Sequence, residues 1–324
     1  MNSREIVFKA LRGEATPRPA FGPLATHFCA ADAGVYLREF TLNPEVHVQC
    51  LLRYFEKYHP DVVWVSADTW VTAEAMGIPV AFPGKELPLS GLPQGIIKSA
   101  QDIESIPAPD PYSQGRQPLM LEVLSRIVET VGNEVFVVGC FDQSPFSLAC
   151  QIGGITNILS KTIEDTAFVD ALVEKCSEYV LAYAEAMEAC GPDMLSTGDS
   201  PAALMGREKY TAFALPAERQ VFSSLKEKTD IVLSLHICGD STSMLDQMAA
   251  SGADVLEIDH QVSLGKAHEI VGDKVALWGN IDPVSVLLQG KPGGIQTVVW
   301  DLLSEVKDVG CRRFVLSSGC TLAP

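Results

Sequence analysis

The sequence has no run of about 20 unbroken apolar residues, the length that a helix needs to cross a bilayer. The opening segment, Met1 to Glu14, also lacks the apolar stretch and cleavage site of a secretory signal, so we expect a cytoplasmic protein with no membrane partner. Basic residues are scarce, since 24 Lys and Arg stand against 41 Asp and Glu and give a net charge of −17. Such a surface repels phosphate backbones, and we predict no nucleic-acid partner.

A disulfide framework is also missing. The nine cysteines are an odd number and are scattered through 324 residues, which is typical of a reduced intracellular chain. A free cysteine is most often a small buried apolar residue, so each one needs a specific reason to be interpreted as a ligand or nucleophile. The 47% of apolar residues is enough for a large core and excludes a disordered chain.

Eight short apolar runs recur along the chain. Each is nearly continuous instead of alternating with polar residues, which is typical of strands buried on both faces of a parallel sheet. The predicted strands are Pro19 to Leu24, Asp61 to Ser66, Glu134 to Gly139, Asp193 to Thr197, Asp230 to Leu235, Ala253 to Ile258, Lys274 to Trp278 and Arg313 to Leu316.

Segments with helical periodicity separate most of these runs. They are Glu45 to Tyr58, Leu119 to Val131, Asp165 to Cys190, Glu218 to Lys228, Ser241 to Ala250 and Gly294 to Val309. Strand and helix alternating about eight times predict an α/β fold, a single-domain (β/α)₈ TIM barrel over residues 1–324, with a doubly wound open sheet as the alternative. Residues 1–18 are predicted as an N-terminal helical extension. Residues 76–118, with eight prolines, form what we call the proline-rich excursion, either a functional lid near the active end of the barrel or a loop without a chemical role.

Polar residues follow the apolar runs. In a parallel barrel the C-terminal ends of all strands form one rim, which we call the barrel mouth, so these residues should converge there. They are Asp68, Cys140, Asp142, Gln143, Gly198, Asp199, His236, Cys238, Asp259, His260, Asn280, Asp282, Ser317, Ser318, Gly319 and Cys320.

The segment Leu235 to Asp240, L-H-I-C-G-D, is the most informative of these. His236 and Cys238 lie two apart and point the same way, so they can bind one ion, and Cys320 at the end of the last strand can join them. One imidazole and two thiolates suit Zn²⁺, and three protein ligands leave a fourth position open for catalysis. The alternative is a buried structural histidine beside inert cysteines.

Several motifs resemble one family from end to end. They are R-E-I-V-F-K-A-L-R-G-E at 4–14, F-D-Q-S-P-F-S-L-A at 141–149, G-D-S-P-A at 198–202, L-H-I-C-G at 235–239, G-A-D-V-L-E-I-D at 252–259, G-N-I-D-P at 279–283 and S-S-G-C at 317–320. The chain resembles the uroporphyrinogen decarboxylase superfamily, and within it the zinc-dependent corrinoid methyltransferases. That branch moves a methyl group between methylcobalamin and a thiol such as coenzyme M.

The resemblance implies zinc ligation by His236, Cys238 and Cys320, with Asp259 as a fourth ligand when no thiol is bound. Decarboxylases of the family carry R-Q-A-G-R after the first strand, whereas this chain reads P-L-A-T-H-F-C-A at 23–30. A decarboxylase, a corrinoid:tetrahydrofolate methyltransferase and a non-catalytic binding barrel stay as alternatives.

The chain lacks the D-x-H-x-x-G corrinoid-binding motif, so we expect a separate corrinoid protein to dock over the barrel mouth, with the proline-rich excursion as part of the contact surface. Asp142, Asp199 and Asn280 are expected to contact the substrate or corrinoid, and Asp240 or a backbone carbonyl to orient His236. The cations available for a sulfonate are Arg207, Lys209 and Lys266, and no spacing singles one out.

The family continues past the ligand cysteine with a proline-bearing loop and a final helix, so the resemblance implies either an absent tail or a barrel without its closing helix.

Overall fold

Eight parallel strands curve into a barrel. The computed structural model describes residues 1–92 and 94–324, and its strands are β1 (Ala20–Phe21), β2 (Val62–Val65), β3 (Val80–Ala81), β4 (Leu89–Ser90), β5 (Phe136–Gln143), β6 (Met194–Gly198), β7 (Val232–Ile237), β8 (Val255–Ile258), β9 (Ala276–Ile281) and β10 (Phe314–Ser318). The barrel order is β1, β10, β9, β8, β7, β6, β5, β2. The Asp61 N–H before β2 donates to the Phe21 carbonyl of β1 at 2.9 Å, so the two edges meet. The predicted TIM barrel is confirmed, and the doubly wound alternative is wrong.

Helices pack around the barrel between the strands. In the described residues they are α1 (Ser3–Leu11), α2 (His27–Ala33), α3 (Leu37–Leu42), α4 (Pro44–Tyr58), α5 (Val71–Ala75), α6 (Ala100–Ser105), α7 (Gln117–Val131), α8 (Pro145–Gly153), α9 (Ile155–Glu164), α10 (Thr166–Glu188), α11 (Gly206–Lys209), α12 (Leu215–Lys226), α13 (Leu245–Ala249), α14 (Leu264–Val271) and α15 (Pro292–Asp308). Not one of these described helices combines the length and the hydropathy that a membrane span requires.

Each of the eight predicted apolar runs overlaps a strand. In β2 all four residues are buried, as expected where helices cover one face and the barrel interior covers the other. The largest difference is in β5, which continues to Gln143 although its apolar run ends at Gly139. The strand persists because its backbone pairs with β6 as far as Gln143 and Gly198, although its side chains there are no longer all apolar.

The N-terminal end of the barrel is closed by α1. Asn2 and Glu5 form a capping box that starts this helix. Ile6 and Val7 then pack into a buried cluster with the first residues of the strands, among them Phe136 and Ala276. This arrangement leaves the opposite end, the barrel mouth, for chemistry.

The proline-rich excursion contains little regular structure. Strands β3 and β4 pair as a short antiparallel hairpin, and α6 has only six residues. Of its eight prolines, Pro93 lies outside the described residues. The division of the chain into one domain with this excursion stays a prediction.

Candidate metal centre

Two strand ends bring one histidine and two cysteines together at the barrel mouth. His236 lies in β7, Cys238 follows that strand directly, and Cys320 lies two residues beyond β10. His236 Nε2 is 3.0 Å from Cys238 Sγ, and the two sulfurs are 3.6 Å apart. The three ligand atoms lie within 4.8 Å of one another, and we call them the ligand cluster. The geometry thus joins two segments that are 82 residues apart.

The ring of His236 has a fixed orientation. Its Nδ1 lies 2.9 Å from the backbone carbonyl oxygen of Glu257. Because a carbonyl only accepts, Nδ1 carries a proton, and Nε2 is the ring nitrogen that faces the two sulfurs. Of the two expected partners, the carbonyl is therefore the one in place, while Asp240 instead accepts from the Thr242 N–H at 3.1 Å.

The two thiols have opposite acidities. A hydrogen bond from Cys320 lowers the pKa of Cys238 to about 7, against the effect of burial, and the same contact raises the pKa of Cys320 to about 12. Burial alone would lower the pKa of His236, but its contact with Cys320 and the nearby Glu257 outweigh burial and raise it to about 9. A metal ion that binds the ligand cluster would therefore displace protons from its nitrogen and sulfur atoms.

Gly319 permits a close backbone approach beside Cys320. A Cβ at this position would lie 2.5 Å from the His260 nitrogen and 3.1 Å from the Asp259 carbonyl carbon. Real Cβ atoms essentially never come that close to backbone atoms, so a side chain here would displace β10 from the loop after β8. The glycine of the S-S-G-C motif thus has a steric explanation.

A cavity of about 170 Å³ opens beside the ligand cluster, and we call it the mouth cavity. Its described walls come from the segment after β1 and from β2, β5, β6, β7, β8 and the residues after β10. They include the carboxylates of Asp68, Asp142 and Glu257, and no lysine or arginine among the described lining residues. A small molecule bound here would meet the ligand cluster and an acidic wall together.

Glu257 is a site residue that the sequence did not reveal. It lies in β8 inside the run V-L-E-I, is 3% exposed, and its Oε1 accepts from Ser234 Oγ at 2.5 Å and Ser196 Oγ at 2.7 Å. Burial raises its pKa. The available signal was a single acid inside an otherwise apolar strand, because such a charge is costly to bury without a purpose.

Asp142 lies in the mouth cavity, as expected, but Asp199 and Asn280 do not. Asp199 Oδ1 accepts from Ser147 Oγ of α8 at 2.7 Å, so its side chain faces the surrounding helices. The Asn280 amide donates to the carbonyl oxygens of Asp259 and Val262 and lines a separate surface groove. Neither side chain lines the mouth cavity, because both hold neighbouring elements, and their contact with a substrate or corrinoid stays a prediction.

Asp259 is buried near the ligand cluster but is not one of its members. Its Oδ1 accepts from the Gln261 N–H at 2.9 Å and lies 2.9 Å from His260 Nδ1. The expected fourth ligand is thus bonded to its own loop. Two of the candidate sulfonate-binding cations are likewise engaged elsewhere, Arg207 with Asp246 at 2.5 Å and Lys209 with Thr162 at 2.9 Å.

Arg116 links the proline-rich excursion to the cavity wall. It is 6% exposed, and its guanidinium makes two hydrogen bonds to Asp68, at 2.5 and 3.1 Å, and one to Glu74 at 2.6 Å. The ring of Phe82 packs against the guanidinium at 4.8 Å. Asp68 is thus the one cavity carboxylate among the described residues with a cationic side chain bonded to it.

Comparison with known proteins identifies the family of the chain. The sequence profile of the uroporphyrinogen decarboxylase (URO-D) family matches residues 2–324. The chain belongs to this family. It is 32% identical over 229 residues to the methylcobamide:CoM methyltransferase MtbA of Methanosarcina acetivorans, a match that covers 69% of this chain and 64% of that relative.

The other branch of the family is also related. Uroporphyrinogen decarboxylase of Synechocystis sp. is 26% identical, over 87% of this chain and 83% of that relative. A solved structure of a methyltransferase from Methanosarcina mazei superposes with a TM-score of 0.87 at 25% identity, covering 100% of this chain and 94% of that one. These likenesses confirm the resemblance to the methyltransferase branch and identify the chain as a methyltransferase.

Proposed function

We propose that the chain is a zinc-dependent enzyme that moves a methyl group between a corrinoid, carried by a separate protein, and a small thiol. The observation that carries the proposal is the ligand cluster of His236, Cys238 and Cys320 beside the mouth cavity. The related MtbA is named for methylcobamide and CoM, which supports the same reaction class here.

The donor set fits zinc. Two sulfurs bound tetrahedrally at about 2.3 Å from one ion lie about 3.8 Å apart, and the sulfurs here are 3.6 Å apart. His236 Nε2 would add a nitrogen donor once a metal ion displaces its proton, since Nδ1 is engaged by the Glu257 carbonyl. Three protein ligands leave room for a substrate sulfur as the fourth. Asp259 stays a proposed occupant of that position when no thiol is bound.

Zinc at this site would supply a low pKa for a bound thiol, so that the sulfur is a thiolate at neutral pH. In the transfer, the carbon–cobalt bond breaks with its electron pair left on cobalt, a sulfur–carbon bond forms, and the thiol proton is released. The protein contributes position and exclusion of water. His236 is held by the Glu257 carbonyl, and the walls of the mouth cavity confine the acceptor.

The alternatives are less well supported. A porphyrinogen with eight carboxylates would not suit a cavity of about 170 Å³ whose described walls have no lysine or arginine. A tetrahydrofolate-dependent enzyme would not be expected to need the ligand cluster. A non-catalytic barrel would retain the fold without turnover, so a measurement of turnover separates it from an enzyme.

Metal content and turnover test the proposal. We expect about one zinc per purified chain and methylation of a small thiol with methylcobalamin as donor. A Cys320→Ser variant should lose the zinc and at least about 100-fold of the methylation rate, since even residues behind the ligands cost 10- to 100-fold. Cys190→Ser is the matched control, because this half-buried thiol lies outside the ligand cluster.

Metal-free protein that decarboxylates a porphyrinogen would contradict the proposal and favour the decarboxylase. The separate corrinoid protein is tested by a pull-down with methylated corrinoid proteins. Absence of any association, together with no turnover of free methylcobalamin, would exclude a corrinoid as the methyl donor. A cytoplasmic location stays a prediction.

A further inference from the structure

Acidic side chains outnumber basic ones in the described walls of the mouth cavity. Three carboxylates contribute to its described walls, whereas the nearest guanidinium, that of Arg116, is bonded to Asp68 and Glu74. Among the described residues no lysine or arginine is bonded to the carboxylate of Asp142 or Glu257, and the charged neighbour of Glu257 is the imidazole of His236. An uncompensated buried carboxylate is costly, and a ligand of opposite charge removes that cost.

Asp142 is held in a conformation that leaves one of its two carboxylate oxygens without a hydrogen bond. The residue is 4% exposed and has a φ of +74°, which few residues other than glycine adopt. Oδ2 accepts from the Thr72 N–H at 3.1 Å, while Oδ1 is buried with no hydrogen-bond partner among the described residues. Buried polar atoms are nearly always paired, so Oδ1 calls for a donor that the chain does not supply.

Glu257 also has one carboxylate oxygen that accepts hydrogen bonds and one that does not. Both serine hydroxyls donate to Oε1, and Oε2 makes no hydrogen bond to the described residues. Two carboxylate oxygens of the cavity lining therefore accept no hydrogen bond, whereas the described walls have no lysine or arginine. This pattern suits a ligand that donates hydrogen bonds and carries positive charge, and it opposes a sulfonate or carboxylate.

The distance across the wall suits a short molecule. Gln143 pairs with Gly198, which pairs with His236, so Asp142 and the ligand cluster are separated by about two strand spacings, roughly 10 Å between backbones. A cavity of about 170 Å³ has room for roughly five water-sized groups. A thiol with its second functional group two or three carbons away fits that space.

We propose that the methyl-accepting thiol is an aminothiol whose ammonium group is bound by Asp142 and Glu257. This inference rests on the proposed function, because it names the substrate class of the same site. It also separates this chain from a thiol that carries a sulfonate.

Three thiols with the same two-carbon spacer between the sulfur and the second functional group test the proposal. Zinc-loaded protein is titrated calorimetrically with 2-aminoethanethiol, 2-mercaptoethanol and 2-mercaptoethanesulfonate, and each is then assayed as methyl acceptor with methylcobalamin. We expect 2-aminoethanethiol to bind at least about tenfold more tightly than the sulfonate, the lower range for a charge-assisted hydrogen bond. Its kcat/KM should exceed that of the sulfonate by a similar factor.

Variants locate the effect. Asp142→Asn should lower kcat/KM for 2-aminoethanethiol by about 10- to 100-fold, mainly through KM, and lower that for 2-mercaptoethanol by a clearly smaller factor. Glu257→Gln provides a second, independent variant in case Asp142→Asn does not fold. Asp170→Asn, on the exposed face of α10, is the matched control for loss of one negative charge.

The outcomes are distinguishable. Equal binding of the aminothiol and the sulfonate, or an unchanged preference in both variants, overturns the inference while methylation of any thiol still supports the proposed function. Preferential binding of 2-aminoethanethiol that is lost in the variants, without methylation of any thiol, supports the ammonium site and overturns the proposed transfer.

Discussion

Gly319 controls how closely Cys320 approaches the other two ligands. The sulfurs of Cys238 and Cys320 are 3.6 Å apart, a separation that one ion can bridge. This spacing depends on contact between the backbone at Gly319 and the loop after β8, where His260 nitrogen leaves no room for a Cβ. A change of one methyl group can therefore alter metal binding without touching a ligand atom.

The variant Gly319→Ala should bind zinc at least about tenfold more weakly than the native chain, because the end of β10 must move away from His260 and take Cys320 with it. Zinc affinity is measured by competition with a chromogenic chelator. Gly293→Ala in α15 is the control, since nothing lies within 4 Å of a Cβ there. Unchanged affinity in Gly319→Ala would show that the backbone relaxes without moving the sulfur.

At the scale of elements, a buried pair of acids joins β6 to α12. Asp199 follows β6, Glu218 lies in α12, and both are at most 1% exposed. Tyr210 donates to Glu218 Oε2 at 2.6 Å, and Ser147 donates to Asp199 Oδ1 at 2.7 Å. Burial raises the pKa of Asp199 to about 7 and that of Glu218 well above its ordinary range. Burial therefore favours the protonated form of both acids.

This pair makes stability depend on pH with a defined sign. The folded chain binds more protons than the unfolded chain, in which acids titrate near 4, so the stabilisation is complete below about pH 4. It is lost as the pH rises through about 7 for Asp199 and continues to fall above that for Glu218. Glu218→Gln keeps a neutral group that can accept from Tyr210, and it should reduce the loss of unfolding free energy between pH 5 and 8.

Urea unfolding at the two pH values measures this effect. The native chain should lose up to about 1.4 kcal/mol more per pH unit than Glu218→Gln, the value for one proton. Glu129→Gln, an exposed glutamate of α7, should lose as much as the native chain. Parallel losses in Glu218→Gln and the native chain would mean that Glu218 is already ionised in the folded state.

Strand positions were predictable from the sequence because a strand covered on both faces must be apolar throughout, as Val62 to Val65 are. The ligand cluster was predictable because alternate residues leave a strand on one side and all parallel strands end at one rim. Which side a polar residue takes after the strand ends was not predictable. Asp199 is bonded to Ser147 of a surrounding helix, and Asn280 is bonded to the backbone carbonyls of residues 259 and 262. These partners are distant in sequence, so the local pattern does not reveal them.

At the scale of the whole molecule, the barrel separates stability from chemistry. Helix α1 covers the N-terminal end, where Ile6 is 4% exposed and packs with Val7 and residues at the starts of several strands. The ligand cluster and the mouth cavity lie at the opposite ends of these strands. In barrels of this kind, residues at the N-terminal end support folding and those at the C-terminal end support catalysis.

Ile6→Ala should therefore lower the free energy of unfolding by about 2–5 kcal/mol, the usual cost of removing a buried isoleucine side chain, while the folded protein keeps its zinc and its kcat/KM for thiol methylation. Denaturant unfolding gives the first quantity, and metal analysis with the methylation assay gives the others. Ile163→Ala in α9 is the matched control, because that isoleucine is 74% exposed and its loss should change stability by less than about 0.5 kcal/mol. If Ile6→Ala lost zinc at a temperature where it is fully folded, the two ends of the barrel would be coupled, and packing under the strands would itself set the geometry of the ligand cluster.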